Sequence, residues 1–230
     1  MEDRVIMMDK KSPVKNSVIV TAILFAVFVI YTICVKNVDV AAIGPEGSSV
    51  GFSSVNGAIA KLFTYNDFFY DCSKVIGLFS FITIGAIALT TLCQVIKRKG
   101  IFKADRDCYA MGVTYVATGI LYVLFEKLII NYRPVILDEG LEASFPSSHT
   151  MLSVCVFITA SIWIRNRIKY DRYVSVMLCT FAVLMVICRL ISGVHWFTDI
   201  IGGVIAGALL TSIYMTQLSV LQSRAGKGKD

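Results

Sequence analysis

Residues 17–35 read SVIVTAILFAVFVIYTICV, and this uncharged stretch decides the fold class. Its length is close to the about 20 apolar residues that a helix needs to cross the hydrocarbon core of a bilayer. It is longer than the apolar segment of a signal peptide, about 7–15 residues, and no clear small-residue cleavage site ends it. We therefore interpret it as a retained transmembrane helix.

The composition of the whole chain agrees with a membrane protein. Of its 230 residues, 56% are hydrophobic and 17% are charged, and the mean hydropathy is +0.72. Soluble domains average about 45–50% apolar and about 25% charged residues, so these values exclude an ordinary soluble domain and also a disordered chain. The net charge of +6 comes from Lys and Arg clusters between apolar runs. Because these clusters form no single basic stripe, we expect no nucleic-acid partner.

Five further apolar runs follow the first, each bounded by charged or turn-forming residues. They cover residues 75–96, 109–130, 146–165, 174–191 and 200–220. The run at 146–165 reaches membrane length only if its helix begins near Pro146 with Ser144 as the cap, and a re-entrant segment is the alternative. The sequence therefore predicts an all-α fold, an integral membrane six-helix bundle that forms one domain over residues 1–230.

The distribution of Lys and Arg predicts the orientation, because these residues are retained preferentially on the cytoplasmic side of a membrane. With six spans, four basic groups fall on one side and both termini are cytoplasmic. The three other connections then lie on the outer, extracytoplasmic side of the cell membrane. The basic groups are Arg4, Lys10, Lys11 and Lys15; Lys97, Arg98, Lys99, Lys103 and Arg106; Arg165, Arg167, Lys169 and Arg172; and Arg224, Lys227 and Lys229.

The first outer connection, residues 36–74, contains one amphipathic segment. Val55, Ile59, Leu62 and Phe63 fall at helical spacing and predict an interfacial helix over residues 55–65. Such a helix either packs over the bundle or acts as a lid that guides lipids.

The two histidines of the chain, His149 and His195, fall at helix boundaries on the same predicted outer face. Charged side chains within membrane spans are costly and usually face a partner or a water-filled cavity. Several such residues cluster at the same outer ends. They are Glu126, Lys127, Arg133, Arg189 and Asp199.

This combination of side chains suits a dense anion, and phosphate is the obvious candidate. A guanidinium group can grip two phosphoryl oxygens at once. Ser147 and Ser148 add hydroxyl and backbone donors close to a helix N-terminus, where partial positive charge favours phosphate. The hypothesis that follows is an anion site built from two arginines, a lysine, two serines and two histidines.

Other chemistries lack support in the sequence. No Walker-type glycine loop, metal-spaced carboxylate pair or Gly-x-Ser-x-Gly elbow occurs, so we expect neither nucleotide chemistry nor serine hydrolysis, and neither a metal nor a cofactor. The seven cysteines are an odd number and mostly lie in apolar runs. They predict no disulfide or zinc framework, although Cys34 and Cys72 could meet on one face.

Three groups of residues together resemble the signature of the type 2 phosphatidic acid phosphatase superfamily of membrane lipid phosphatases. The third group has the family spacing, with five residues between Arg and His and three between His and Asp. The first group departs from it, because five residues instead of six separate its Lys and Arg. Ser148 and Cys188 also stand where the family usually has glycine and serine. The groups are Lys127, Arg133 and Pro134; Pro146, Ser147, Ser148 and His149; and Arg189, His195 and Asp199.

The resemblance implies a metal-independent hydrolase of lipid phosphate or diphosphate monoesters at the outer membrane face. It implies that His195 attacks phosphorus to form a phosphohistidine, that Asp199 orients His195, and that His149 protonates the leaving oxygen. The residues it implies for phosphate binding are Arg133, Arg189, Ser147, Ser148 and Lys127.

Several alternatives remain open at the level of sequence. Polyprenyl diphosphate, phosphatidic acid and phosphatidylglycerol phosphate all fit as lipid substrates. A lipid phosphotransferase would use the same residues, and so would a non-catalytic protein that binds or transports lipid phosphates. The expected partners are a lipid phosphate substrate and membrane lipids, and no feature of the sequence indicates an oligomeric state.

Overall fold

The computed structural model describes residues 12–137, 140–165, 167–168 and 171–227, and this part of the chain is helical, with no β-strand. Its seven α-helices confirm the predicted all-α class. Their bounds are α1 Ser12–Asn37, α2 Ser53–Leu62, α3 Asp67–Lys97, α4 Arg106–Leu128, α5 Ser148–Ile164, α6 Asp171–Ile191 and α7 Phe197–Lys227.

Five of these helices are long and apolar enough to cross a membrane: α1, α3, α4, α6 and α7. α5 has 17 residues, which corresponds to about 26 Å against the about 30 Å of a bilayer core. The prediction that this helix begins near Pro146 is wrong. Ser147 has non-helical backbone angles and its N–H donates to the Asp199 carbonyl, so the chain enters the helix only at Ser148. The predicted cap Ser144 instead donates its hydroxyl to the Asn131 carbonyl.

Several other helices extend beyond the apolar runs that predict them. α3 begins at Asp67, well before the predicted residue 75, because the Asn66 side chain accepts the Phe69 N–H and caps the helix there. The helix predicted over residues 55–65 is observed as α2, which begins two residues earlier, at Ser53, and ends three residues earlier, at Leu62, because Phe63 has non-helical backbone angles. Hydropathy therefore finds the apolar part of α3, and a local hydrogen bond sets where the helix begins.

The central helix of the bundle is α5, which packs against α3, α4, α6 and α7. Its contact with α7 is unusually close. A Cβ on Gly203 would lie 2.7 Å from the Ser147 carbonyl oxygen, and one on Gly207 would lie 2.8 Å from Val154 Cβ. These glycines are packing residues, as small residues at helix interfaces in membrane proteins usually are.

α1 runs antiparallel to α7 at the edge of the bundle. The Ser17 and Ser219 hydroxyls are 2.8 Å apart at one end, and the Tyr31 hydroxyl donates to the Thr198 carbonyl at the other end. Large apolar side chains of α1 such as Phe25 and Ile30 are exposed on its outer side. An exposed apolar surface on long helices is the arrangement of a protein solvated by lipid.

The two ends of the bundle differ in charge. The described basic residues of the four predicted groups lie at the end opposite the two histidines. Five basic residues of those groups lie outside the described part of the chain: Arg4, Lys10, Lys11, Lys169 and Lys229.

Helix α2 lies against the first turn of α7 and is fixed there by one buried side chain. The Asn56 amide nitrogen donates to the Gly51 carbonyl at 2.7 Å and to the Thr198 hydroxyl at 2.9 Å, and its oxygen accepts the Thr198 N–H. This anchoring favours a helix that packs over the bundle, and its place at a membrane interface stays a prediction.

Candidate active site

His195 lies in the short connection between α6 and α7, and its ring is buried. Its Nε2 is 2.7 Å from Arg189 Nη2. Arginine has five donors and no acceptor, so this contact requires a lone pair on Nε2 and places the ring proton on Nδ1. Burial, and then the positive charges of Arg189 and Arg133, lower the pKa of His195 well below its ordinary value. The ring is therefore neutral, with an available lone pair on Nε2.

Asp199, in the first turn of α7, approaches the other ring nitrogen of His195. Its Oδ2 is 3.8 Å from Nδ1, which is beyond hydrogen-bond distance, and Nδ1 has no hydrogen-bond partner among the described residues. The carboxylate is instead held by the Trp196 N–H at 3.0 Å and by the Asn131 side-chain amide at 3.1 Å. The structure thus brings Asp199, which the resemblance implies orients His195, close to Nδ1 of that ring but beyond hydrogen-bond distance.

Arg189 is fully buried at the end of α6. Besides His195 it contacts two residues of α3: its Nη1 donates to the Ser73 hydroxyl at 3.2 Å, and its Cζ is 5.5 Å from the Tyr70 ring centroid. Within the described part of the chain no carboxylate forms an ion pair with this guanidinium, and its Nε has no hydrogen-bond partner. A buried cation without a counter-ion is costly, and a bound anion would remove that cost.

Arg133, in the loop after α4, contributes a second guanidinium. Its side-chain Nη2 is 2.9 Å from Glu142 Oε2, and its backbone N–H donates to the Glu142 carbonyl. The buried Nε of its side chain has no hydrogen-bond partner among the described residues. The Glu142 carboxylate therefore occupies one edge of this guanidinium and leaves Nε as an unused donor.

The residues around the start of α5 face the same region. The Ser147 hydroxyl is buried and 3.0 Å from the Thr150 hydroxyl. His149 packs against Gly77 of α3, where a Cβ would lie 3.1 Å from His149 Cδ2. Ser148 lines both a recess next to His195 and a cavity next to His149, so the regions of the two histidines meet at Ser148.

Lys127 is placed apart from these residues. It is exposed in the last turn of α4, and it makes no hydrogen bond or ion pair within the described residues. Its phosphate-binding role stays a prediction, while Arg133, Arg189, Ser147, Ser148, His149, His195 and Asp199 come together at one end of the bundle.

Two features of this site were missed by the sequence reasoning. Asn131, which holds Asp199, follows α4 and carried no recognisable pattern. The second feature is a set of four residues on one face of α3. It was missed because the charged residues near position 74 led us to expect a loop there. A helical spacing of three, four and seven residues from Tyr70 would have indicated it. We define the α3 stripe as Tyr70, Ser73, Lys74 and Gly77.

An apolar groove leads away from the histidines. A cavity of about 380 Å³ lies between α3, α4 and α5 and is lined by Tyr122, Leu152 and His149. A second cavity of about 1080 Å³ shares Phe81, Ile84 and Tyr115 with it and continues along α3 and α4 toward the opposite end. The groove could accommodate hydrocarbon chains next to the polar site.

The one metal-competent group in the described residues lies away from this site. Asp105, Asp107 and Cys108 stand close together in the connection before α4 and at its start. Arg98 pairs with Asp105, and Arg167 pairs with both carboxylates. These guanidinium groups neutralise the two acidic side chains. The seven cysteines of the chain, Cys108 among them, form no disulfide.

Comparison with known proteins identifies the family. The sequence profile described as the PAP2 superfamily matches residues 79–222, which is more than half of the chain. The chain belongs to the PAP2 superfamily. The matched segment contains all eight predicted site residues, whereas the α3 stripe lies before its first residue.

Two relatives illustrate the similarity of this PAP2 chain to known proteins. Phosphatidylglycerophosphatase B of Bacillus subtilis (strain 168) is 28% identical over 103 residues, covering 43% of this chain and 50% of that protein. The match thus spans about half the length of the curated relative. The crystal structure of a transmembrane PAP2-type phosphatidylglycerolphosphate phosphatase from Bacillus subtilis shares the fold, with a TM-score of 0.59 and 21% identity over 91% of this chain and 96% of that one.

Proposed function

We propose that this protein is a lipid phosphatase that hydrolyses a phosphate or diphosphate monoester through a phosphohistidine on His195. The observation that carries the proposal is the pairing of Arg189 with His195. A fully buried guanidinium with no carboxylate counter-ion in the described residues donates to the lone pair of a neutral imidazole. A phosphoryl group would satisfy the guanidinium and present phosphorus to that lone pair.

The reaction follows from these positions. The substrate phosphate displaces Arg189 from His195 Nε2 and takes over its hydrogen bonds. The Nε2 lone pair then forms the N–P bond while the bond from phosphorus to the leaving oxygen breaks, and His149 gives that oxygen its proton. Arg133 and Arg189 stabilise the charge on the phosphoryl oxygens, and Asp199 stabilises the positive ring. Water then attacks phosphorus and gives a proton to His149 while the N–P bond breaks, which releases inorganic phosphate and returns His195 to its neutral form and His149 to its protonated form.

A lipid substrate is supported by the apolar groove, which begins at His149 and runs between α3 and α4. The names of both relatives specify phosphatidylglycerophosphate, and we extend that class to this chain together with phosphatidic acid and polyprenyl diphosphate. The proposed mechanism needs no metal, so phosphate release should continue in the presence of a chelator.

The outer-face location and a sixth crossing belong to the same proposal. α5 starts at the site. Arg167, just beyond its end, forms ion pairs with Asp105 and Asp107, which lie at the opposite end of the bundle where α4 starts. α5 thus connects the same two ends of the bundle as α4 does, despite its length. The described Lys and Arg groups at the end away from the site support a cytoplasmic assignment for that end.

The two histidines give the sharpest test, because their proposed roles fail differently. His195→Ala removes the nucleophile, so no phosphoenzyme should form with any substrate. His149→Ala removes only the proton donor and should cost about 10²–10⁴-fold on a lipid alcohol ester. That loss should shrink on an aryl phosphate whose phenol leaves without protonation. The measurement is release of inorganic phosphate, with acid-quenched trapping of phosphoenzyme, from purified protein in chelator.

Lys61→Ala provides the control, because Lys61 is exposed on α2 and makes no hydrogen bond or ion pair in the described chain. Equal losses of the His149 variant on both substrates would show that it is not the general acid. Phosphate trapped on the His195 variant would overturn the assigned nucleophile, and phosphate recovered on another alcohol instead of water would indicate a phosphotransferase.

A further inference from the structure

The α3 stripe places one helix face against the proposed catalytic residues. Its members are three, four and seven residues apart, which puts them on one side of a helix. Ser73 and Tyr70 contact Arg189, and Gly77 packs on the His149 ring. Three of the four members thus touch or adjoin the site, and the remaining one, Lys74, is a cation.

Lys74 is held next to Arg189 through a shared aromatic ring. Its Nζ lies 4.2 Å from the Tyr70 ring centroid, and Arg189 Cζ lies 5.5 Å from the same centroid. The two positive charges are therefore no farther apart than the sum of these distances. Nothing in the sequence pattern of the family points to Lys74, because the matched segment begins at residue 79.

The present partner of Lys74 is one that a substrate could replace. Nζ is 2.9 Å from Asp71 Oδ1, and the side chains are 52% and 68% exposed respectively. Exposed ion pairs contribute little net stability, with a median of about 0–1 kcal/mol. Exchange of the Asp71 carboxylate for a phosphate oxygen would therefore cost the fold little, while leaving the ammonium group fully paired.

The position of Lys74 also indicates which part of a substrate it would meet. It precedes Gly77 by three residues on the same face, which is about 4.5 Å along the helix. Gly77 contacts His149, the proposed donor of a proton to the leaving oxygen. Lys74 therefore lies near Arg189, which would bind the transferred phosphoryl group, and near His149, which would protonate the leaving oxygen, so its ammonium group is placed to meet a second phosphate next to the transferred one.

We propose that Lys74 binds a second phosphate of the substrate, the one that stays with the lipid product after hydrolysis. This inference rests on the proposed lipid phosphatase function and narrows its substrate class to lipids that carry two phosphates. Two lipid types have this chemistry: a polyprenyl diphosphate, in which the second phosphate is directly attached, and phosphatidylglycerol phosphate, in which a glycerol separates the two.

The test compares substrates that differ by that second phosphate. Lys74→Gln is assayed for kcat/KM on farnesyl diphosphate against farnesyl monophosphate, and on phosphatidylglycerol phosphate against phosphatidic acid. A lost hydrogen bond between charged groups corresponds to about tenfold or more. We expect that loss on at least one of the two substrates with a second phosphate, and less than about threefold on both monophosphates. The two-phosphate substrate whose kcat/KM falls in Lys74→Gln identifies the natural substrate class.

Two further lysines sharpen the comparison. Lys61→Gln, on the same end of the bundle, is the matched control for loss of an exposed positive charge. Lys127→Gln tests the lysine that the family resemblance favours. Equal effects of Lys74→Gln on all four substrates, no effect on any of them, or a selective effect of Lys127→Gln alone would each overturn the inference.

A measurement without turnover separates this inference from the proposed function. In the His195→Ala background, farnesyl diphosphate should raise the melting temperature more than farnesyl monophosphate, and Lys74→Gln should remove the difference. If the wild-type protein releases no phosphate but this difference is present, the phosphatase proposal fails while the binding role of Lys74 stands. If the wild-type protein releases phosphate but the His195→Ala protein shows no difference in melting temperature between the two ligands, the Lys74 inference fails alone.

Discussion

A guanidinium group that donates to His195 fixes both the tautomer and the charge of this residue. Because Arg189 cannot accept a hydrogen bond, the contact exists only while Nε2 is unprotonated. The same arginine and the burial of the ring lower the pKa of His195, so the histidine stays a nucleophile where an exposed histidine would begin to titrate. The group that we propose to bind the anion therefore also keeps the proposed nucleophile neutral.

Nuclear magnetic resonance of ¹⁵N-labelled histidine can check this directly, because the chain has only two histidines. We expect the His195 ring to stay neutral and protonated on Nδ1 as the pH falls through 6.5. In Arg189→Gln the pKa of His195 should rise, but remain below its ordinary value because burial persists.

The same lowered pKa has a consequence for stability. Since His195 binds its second proton only at lower pH in the folded protein than in the unfolded chain, it should reduce the free energy of unfolding as the pH falls below about 6.5. Titration of His195 near 6.5 in the wild-type protein would contradict the assignment.

Residues of this site differ in how far they could be predicted from sequence. Arg189, His195 and Asp199 lie within eleven consecutive positions, so their spacing is visible along the chain. Ser73 and Asn131 reach the same site from α3 and from the loop after α4. Only the tertiary fold brings them to Arg189 and Asp199, because a helical spacing indicates that Ser73 shares a face with Tyr70 but not which residues that face contacts.

At the scale of helices, apolar runs predicted the approximate position of each long helix but not its ends. α3 extends to Asp67 because Asn66 caps it, and this extension carries Tyr70 and Ser73, the stripe residues that contact Arg189. α5 begins at Ser148 because Ser147 is hydrogen-bonded to α7 instead. In both cases the residues that set the helix end also position the site, and they are polar residues that a hydropathy pattern leaves out.

The close approach of α5 and α7 can be tested by a single methyl group. In Gly203→Ala the new Cβ would lie 2.7 Å from the Ser147 carbonyl oxygen, which is backbone and cannot turn away. We expect destabilisation of about 1–3 kcal/mol, together with reduced activity, because the displaced residues are Ser147 and Ser148. Gly85→Ala in α3 is the matched control, since a Cβ there meets nothing within 4 Å. Denaturation in detergent and phosphate release measure the two effects, and equal behaviour of both variants would contradict the packing argument.

At the scale of the whole molecule, hydrophobic outer surfaces and a polar end define how the bundle sits in a membrane. Three polar contacts join the elements at the histidine end: Asn56 of α2 bonds to Thr198 of α7, Asn131 after α4 bonds to Asp199 of α7, and Trp196 after α6 donates to the Tyr132 carbonyl after α4. Arginines of the other connections meet acidic partners at the opposite end. The bundle is therefore polar at both ends, and the candidate active site lies at the end with fewer basic residues among those that the structure describes.

The orientation predicted from this charge difference can be tested by cysteine labelling with an impermeant maleimide in intact cells. On a background without the seven native cysteines, Ser49→Cys reports the site end, and Lys99→Cys and Arg165→Cys report the other end. All three positions are exposed. We expect Ser49→Cys to react in intact cells and the other two to react only after permeabilisation, because Lys and Arg groups are retained on the cytoplasmic side. Reaction of Arg165→Cys from outside together with Ser49→Cys would show that α5 does not cross the membrane. Reaction of Lys99→Cys from outside with Ser49→Cys protected would place the phosphatase chemistry on the cytoplasmic face.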